Sequence, residues 1–151
     1  MNIENKIHEL GYTLSTPPKP LAAYIPTVRI GNLVFTAGQL PFENGNLKYT
    51  GKVPEEISEE EAIKAAEICA LNCLSVIKAE IGDLDKVKRI VKLTVFVNSS
   101  SSYVKHPKIA NGASEFLVKL FGDIGKHARS AVGVSSLPLN APVEIEMIVE
   151  V

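Results

Sequence analysis

The sequence contains no tryptophan, only two cysteines and no apolar run long enough to cross a membrane. Two thiols, Cys69 and Cys73, are too few for a disulfide framework or for a zinc site of their own. A spanning helix needs about 18 consecutive apolar residues, so no membrane segment is expected. The first six residues, MNIENK, also lack the basic start and apolar core of a secretory signal peptide. These absences favour a cytoplasmic protein.

An excess of charge of either sign is missing as well. Sixteen Lys and Arg stand against 17 Asp and Glu, which leaves a net charge of −1. A protein that binds a nucleic-acid backbone normally carries a basic surface, so nucleic acid is not an expected partner. With 151 residues, 46% of them hydrophobic, the chain has the size and composition of one globular domain. We therefore treat residues 1–151 as a single domain.

The motifs of common catalytic sites are also absent. There is no phosphate-binding glycine loop, no cluster of metal ligands and no serine elbow. The three histidines, His8, His106 and His127, lie in separate regions without the spacing of a helical metal site, which favours surface or capping roles. Cys69 and Cys73 fall on the apolar stripe of a predicted helix, where a thiol behaves as a small hydrophobe.

The spacing of apolar residues predicts a short N-terminal helix followed by the order β-β-(β)-α-β-α-β-β. Two helices would then cover one face of a mixed β-sheet, which is an α+β fold. Prolines at 17, 18 and 20 predict an extended connector after the first helix. The expected elements are a helix within 1–11, strands at 24–30 and 33–40, an edge strand within 42–53, a helix between the Ser58 cap and Gly82, a strand at 87–97, a helix from Pro107 to Gly122, and strands at 128–135 and 143–151.

The face of the sheet that the helices do not cover is predicted to be half apolar. Strict alternation along the strands directs four apolar side chains to it: Ile90, Phe96, Val132 and Val134. A contiguous apolar surface usually marks a contact with another molecule. We therefore expect this face to pack against another copy of the chain.

Two charged residues do not fit a plain structural account. Arg129 lies among the small and apolar residues of 128–134, where a charge needs a partner or access to water. Glu144 begins the following strand, so the two side chains could meet across a hairpin. One interpretation is a cross-strand ion pair. The other is an arginine that binds a substrate carboxylate beside a glutamate that transfers protons.

Two segments resemble the signatures of a known family. The hairpin sequence GNLVFTAGQLP at 31–41 is similar to the first signature of the RidA/YjgF family. The segment that runs from Ala128-Arg129 through Leu137-Pro138 to Met147 is similar to the C-terminal one, and LTVFV at 93–97 also fits. The resemblance covers residues 20–151 and leaves 1–19 as an N-terminal extension.

The resemblance implies a fold like that of the Bacillus-type chorismate mutase and a homotrimer with sites in the clefts between subunits. It implies hydrolysis of reactive enamines and imines, such as 2-iminopropanoate and 2-iminobutanoate, to 2-keto acids and ammonia, without a metal or an organic cofactor. The expected partners are thus small 2-imino or 2-keto carboxylates and further copies of the chain. Other members are described as endoribonucleases, chaperones or ligand-binding regulators. Two alternatives therefore stand beside the deaminase: a non-catalytic carboxylate-binding protein and a ribonuclease.

The family's functional residues match four positions of this sequence. Arg129 matches the arginine that holds the substrate carboxylate, and Glu144 matches the acidic residue that orients or activates water. Tyr24 matches a tyrosine that closes over the ligand, and Asn111 matches an asparagine that lines the cleft. An imine carbon is already electrophilic, so orientation by an Arg fork and proton transfer by a glutamate would suffice.

The sequence departs from the family pattern in and around the same site. The loop from Asn98 to His106 replaces a short acidic turn, and the N-terminal extension precedes Tyr24. His127 stands where a proline or a small residue is common, and Ala131 replaces a frequent cysteine. The resemblance therefore leaves the physiological substrate open.

Overall fold

A computed structural model describes residues 2–17 and 23–151, so the second half of the predicted connector, 18–20, lies outside the described residues. The described chain forms an α+β fold with a mixed sheet. Its helices are α1 (Ile3–Glu9), α2 (Glu59–Ile81) and α3 (His106–Phe121), and its strands are β1 (Thr27–Ile30), β2 (Leu33–Thr36), β3 (Phe42–Glu43), β4 (Asn46–Leu47), β5 (Arg89–Asn98), β6 (Ala128–Val134) and β7 (Val143–Glu150). None of the described helices is long and apolar enough to span a membrane.

The main sheet has the strand order β1-β2-β7-β5-β6, with β1 and β6 at its edges. Neighbouring strands are antiparallel except β5 and β6, which are parallel. Parallel neighbours need a crossover connection, and α3 provides it. Consequently β6 and β7 are not paired, because β5 lies between them. The edge strand predicted within 42–53 is also not part of this sheet, since β3 and β4 form a separate hairpin.

Helix α2 confirms the predicted long helix at both ends. The side chain of Ser58 accepts a hydrogen bond from the Glu61 backbone N–H, and the Glu61 side chain accepts one from the Ser58 N–H. This capping box satisfies two donors at the helix start. Gly82 ends the helix with φ +86°, a conformation that glycine adopts at little cost. The buried side of α2 packs on β7 and β2, and α3 packs beside it on β5 and β6.

The two cysteines of α2 lie fully inside the core, as the apolar stripe predicted. The thiol of Cys69 contacts the carbonyl oxygen of Val143 at 3.5 Å, and that of Cys73 contacts the carbonyl oxygen of Ile145 at 3.4 Å. Burial raises the pKa of both thiols, that of Cys73 to about 12. Both are therefore protonated packing groups that join α2 to β7.

The N-terminal helix packs on its own chain. Ile3 and Ile7 are buried against α3 and the turn at 84–86. The backbone N–H of Ile3 donates to the Asp85 carboxylate at 2.8 Å, and Lys78 forms an ion pair with Glu4 at 2.7 Å. Helix α1 thus extends the core past the end of α3.

The uncovered face of the sheet differs from the prediction at Ile90. A β-bulge between Ile90 and Lys92 changes the alternation, so Ile90 turns inward and is completely buried. The prediction that Ile90 lies on the outer face is therefore wrong. Phe96 pairs with Val132, which is 45% exposed, on that face, and Val134 is half-buried at the end of β6. The apolar surface extends to the opposite edge of the sheet through Val28, Phe35, Ile30 and Ile148.

Candidate functional site

Arg129 lies on the edge strand β6 and faces the helices. It pairs with Leu93 of β5, a core residue, so its side chain is on the helix-covered side of the sheet. Its Nη1 donates to the Asn111 side-chain oxygen at 2.8 Å and to the Ser114 hydroxyl at 3.1 Å. Asn111 and Ser114 are three residues apart on α3 and therefore share one face of the helix. The fold thus brings Arg129 and Asn111, two predicted site residues, into direct contact.

These contacts leave one side of the guanidinium available for a ligand. Guanidinium carries five N–H donors in a planar fork, and Nη1 uses both of its own on α3. Nε and Nη2 make no hydrogen bond within residues 2–17 and 23–151, and no carboxylate there forms an ion pair with Arg129. That edge has the geometry for bidentate binding of a carboxylate.

His127 is connected to the same cluster. Its Nδ1 lies 2.7 Å from the carbonyl oxygen of Gly125, and its Nε2 lies 3.0 Å from the Ser114 hydroxyl. Burial lowers the pKa of His127, and the positive charge of Arg129 lowers it further, against the opposing effect of the Gly125 hydrogen bond. Of the surface and capping roles expected for the histidines, His127 fits the capping one, because its half-buried ring contacts the carbonyl of Gly125 at the end of the turn at 122–125.

Glu144 lies on the other face of the sheet. It pairs with Phe96, whose side chain points away from the helices, and β5 separates its strand from that of Arg129. Of the two interpretations of Arg129 and Glu144, the cross-strand ion pair is therefore wrong within one chain. Instead the carboxylate packs against Gly38, where an added Cβ would lie 2.7 Å from Oε1. Partial burial raises the pKa of Glu144, and the neighbouring Glu146 adds to the effect.

Tyr24 is the most remote of the four predicted residues. It precedes β1 and is 63% exposed. Since β1 and β6 are the two edges of a five-stranded sheet, roughly 19 Å of sheet separates β1, the strand that follows Tyr24, from the strand of Arg129. A single chain therefore assembles Arg129 with Asn111 but leaves Glu144 and Tyr24 apart from them.

Neither Ser114 nor the contacts of His127 were predicted from the sequence. A signal for Ser114 was present, because Asn111 and Ser114 have the i, i+3 spacing of neighbours on a helix. His127 offered no such signal, since its contact with Ser114 depends on how α3 returns to β6. Within the part of the chain that the structure describes, no three His, Cys, Asp or Glu side chains are grouped to hold a metal ion.

Comparison with known proteins places this chain and its fold among relatives. A sequence model described as "YjgF/chorismate mutase-like, putative endoribonuclease" matches residues 4–151. The chain belongs to the RidA/YjgF family. The match begins within α1, so it includes the helix that the sequence resemblance left outside.

Three individual proteins show how this RidA/YjgF chain relates to other members. Protein TCP17 of Trypanosoma cruzi is 41% identical over 145 residues, which are 95% of this chain and 91% of that protein. The 2-iminobutanoate/2-iminopropanoate deaminase of Dermatophagoides farinae is 32% identical over 139 residues, 90% of this chain and 93% of the deaminase. The crystal structure of Atu1372, a protein of unknown function from Agrobacterium tumefaciens, has a TM-score of 0.94 at 44% identity and covers 99% of this chain and 92% of its own.

Proposed function

We propose that this RidA/YjgF protein hydrolyses 2-imino acids to 2-keto acids and ammonia in clefts between three copies of the chain. The observation that carries the proposal is the guanidinium of Arg129, which α3 holds through Nη1 while its Nε and Nη2 edge stays unengaged by the described residues. A carboxylate is the planar anion that such an edge binds with two parallel hydrogen bonds. The name of the deaminase relative supports the same substrate class.

The proposed reaction needs few catalytic groups. Water adds to the electrophilic C2 of the imine and gives one proton to the nitrogen, which forms a carbinolamine. Transfer of the hydroxyl proton to the same nitrogen then lets ammonia leave as the C2–O bond becomes the keto group. Glu144 suits the proton transfers, because a raised pKa brings a carboxyl group nearer to the pH at which it can both accept and donate. Arg129 would fix the carboxylate end of the substrate so that C2 has one position relative to the water.

An assembly of copies would account for the positions of the remaining residues. Glu144 and Tyr24 belong with Arg129 in the proposed cleft, yet in one chain they lie on another face and near the opposite edge of the sheet. The outer face also carries exposed apolar side chains, among them Val28, Ile30 and Val132. Burial of these side chains against a second and a third copy would stabilise a trimer.

The experiment that tests the proposal measures release of keto acid and ammonia from 2-iminobutanoate generated in situ. Sedimentation equilibrium on the same sample gives the assembly state. We expect a trimer that accelerates hydrolysis above the spontaneous rate. A monomer with full activity would contradict the shared cleft. A trimer that binds 2-oxobutanoate saturably without accelerating hydrolysis would instead identify a carboxylate-binding protein.

Gly38 offers a test of the Glu144 position. In Gly38→Ala the new methyl group would lie 2.7 Å from Oε1 and 2.9 Å from Cδ of Glu144, so the carboxylate must turn away. We expect kcat to fall about tenfold or more, as misplaced catalytic groups generally produce, with the fold retained. The double variant with Glu144→Gln should lose little more activity than Glu144→Gln alone. Two full, additive losses would show that Gly38 does not act through Glu144.

A further inference from the structure

A chain of hydrogen bonds that the proposed reaction does not use runs behind Arg129. It leads from Nη1 of Arg129 to the Ser114 hydroxyl, from there to Nε2 of His127, and from Nδ1 of His127 to the carbonyl oxygen of Gly125. We propose that Ser114 and His127 are positioning residues that fix the guanidinium of Arg129 so that its Nε and Nη2 edge faces a ligand carboxylate. The inference rests on the proposed function for the identity of that ligand only.

The acceptors determine the direction of every bond in this chain. A backbone carbonyl can only accept, so the proton of neutral His127 is on Nδ1, at 2.7 Å from Gly125. Nε2 is then an acceptor, and the Ser114 O–H donates to it at 3.0 Å. The lone pairs of the Ser114 oxygen remain for Nη1 of Arg129, at 3.1 Å. Each group thus has one role, and a change of the Ser114 χ1 rotamer, which moves the oxygen itself, would break both bonds together.

The neutral form of His127 is the one that this arrangement needs. A protonated ring would donate from Nε2 to the same oxygen that Arg129 approaches, and it would place two cations on one hydroxyl group. Burial and the charge of Arg129 both lower the pKa of His127 and so favour the neutral ring.

The hydrogen-bond partners of Arg129 indicate that they orient the guanidinium rather than neutralise its charge. A half-buried arginine is usually paired with a carboxylate, whereas Nη1 of Arg129 contacts an amide and a hydroxyl. Uncharged partners orient the guanidinium without compensating its charge. The whole positive charge of Arg129 is then directed to whatever anion binds at the other edge.

The first test observes Arg129 itself and needs no substrate. NMR of the guanidinium nitrogens measures rotation about the Nε–Cζ and Cζ–Nη bonds in the intact protein. We expect slow rotation in the wild type, rotation about threefold to tenfold faster in Ser114→Ala and His127→Phe, and recovery in Ser114→Thr, which keeps a hydroxyl. Unchanged rotation in Ser114→Ala would overturn the proposal.

Ser99 provides a matched control. Among the described residues it forms the other serine–histidine contact, 3.2 Å from Nε2 of His106, and it does not contact Arg129. Ser99→Ala removes the same kind of bond, so it should lower the melting temperature to a similar degree but leave the rotation of Arg129 unchanged. Faster Arg129 rotation in this control would show a general loosening of the fold rather than positioning.

The second test measures the effect on a ligand. With 2-iminobutanoate as substrate, Ser114→Ala and His127→Phe should raise KM about threefold to tenfold with little change in kcat, and 2-oxobutanoate should bind more weakly by the same factor. A fall in kcat at constant KM would contradict carboxylate positioning. Absence of turnover in the wild type would refute the proposed function, while the NMR result would still decide whether Ser114 and His127 position Arg129.

Discussion

Replacing Arg129 by alanine is expected to lower kcat/KM for 2-imino acids about 10-fold to 100-fold. A hydrogen bond to a charged group contributes about 1.5–3 kcal/mol, and each 1.4 kcal/mol corresponds to about a factor of ten. Arg129→Lys should recover only part of the loss, because an ammonium group keeps the charge but not the planar fork. Steady-state kinetics with 2-iminobutanoate, corrected for spontaneous hydrolysis, would measure both effects.

Arg89 is a suitable control for this experiment. It lies at the start of β5, is exposed, and is one of the three arginines of the chain. Arg89→Ala removes the same charge from the protein and should leave kcat/KM within about twofold of the wild type. If Arg129→Ala behaved like Arg89→Ala, the substrate carboxylate would have to bind elsewhere and the proposed site would be wrong.

Replacing Glu144 by glutamine is expected to affect activity and stability in opposite directions. General acid–base catalysis typically contributes about 10²–10⁴-fold, so kcat should fall about a hundredfold or more. Stability should rise at neutral pH, because partial burial and Glu146 make the ionised carboxylate of Glu144 unfavourable in the folded state. Kinetics and urea unfolding on the same preparations would measure the two changes.

The pH dependence gives this stability prediction a definite sign. The folded-state pKa of Glu144 is raised above its ordinary value of 4.5, so the folded chain binds the proton more tightly than the unfolded chain. The destabilisation caused by the ionised carboxylate of Glu144 is complete above the folded pKa and disappears as the pH falls below about 4.5. The stability advantage of Glu144→Gln should therefore shrink as the pH is lowered. An advantage that grows at low pH would contradict the raised pKa.

Glu146→Gln is the matched variant. Glu146 shares the outer face of β7 with Glu144 and is exposed, and its charge contributes to the raised pKa of Glu144. Its replacement should therefore give a smaller stabilisation of the same sign while leaving more of the activity. Equal losses of kcat in both variants would argue against a specific role for Glu144.

Most of the fold could be predicted from the sequence because local signals agree with the tertiary structure. The capping box at Ser58 and the glycine at 82 fix the ends of α2 through local hydrogen bonds and backbone geometry. The bulge before Lys92 could not be predicted, since it arises from pairing with β7 and leaves no mark in the alternation. Ile90 was therefore assigned to the wrong face.

The site was less predictable than the fold. Arg129 stood out as a charge among apolar residues, and Asn111 entered through the family resemblance. Their contact depends on the parallel crossover that brings α3 beside β6. The same crossover places β5 between the strands of Arg129 and Glu144. Their proximity in the sequence had instead suggested that the two strands are neighbours. Strand order is set by long-range pairing, and residues 15 positions apart carry no local record of it.

The buried thiols of α2 also determine how this protein responds to oxidants and alkylating reagents. Both reactions proceed through the thiolate, and the Cys73 thiol, with a pKa of about 12, is almost entirely protonated at physiological pH. The two thiols contact the carbonyl oxygens of the residues on either side of Glu144 in β7, Cys69 that of Val143 and Cys73 that of Ile145. Neither sulfur can be modified unless α2 separates from that strand. Modification of these cysteines would therefore show that the core had opened, because the presence of the reagent alone is not enough.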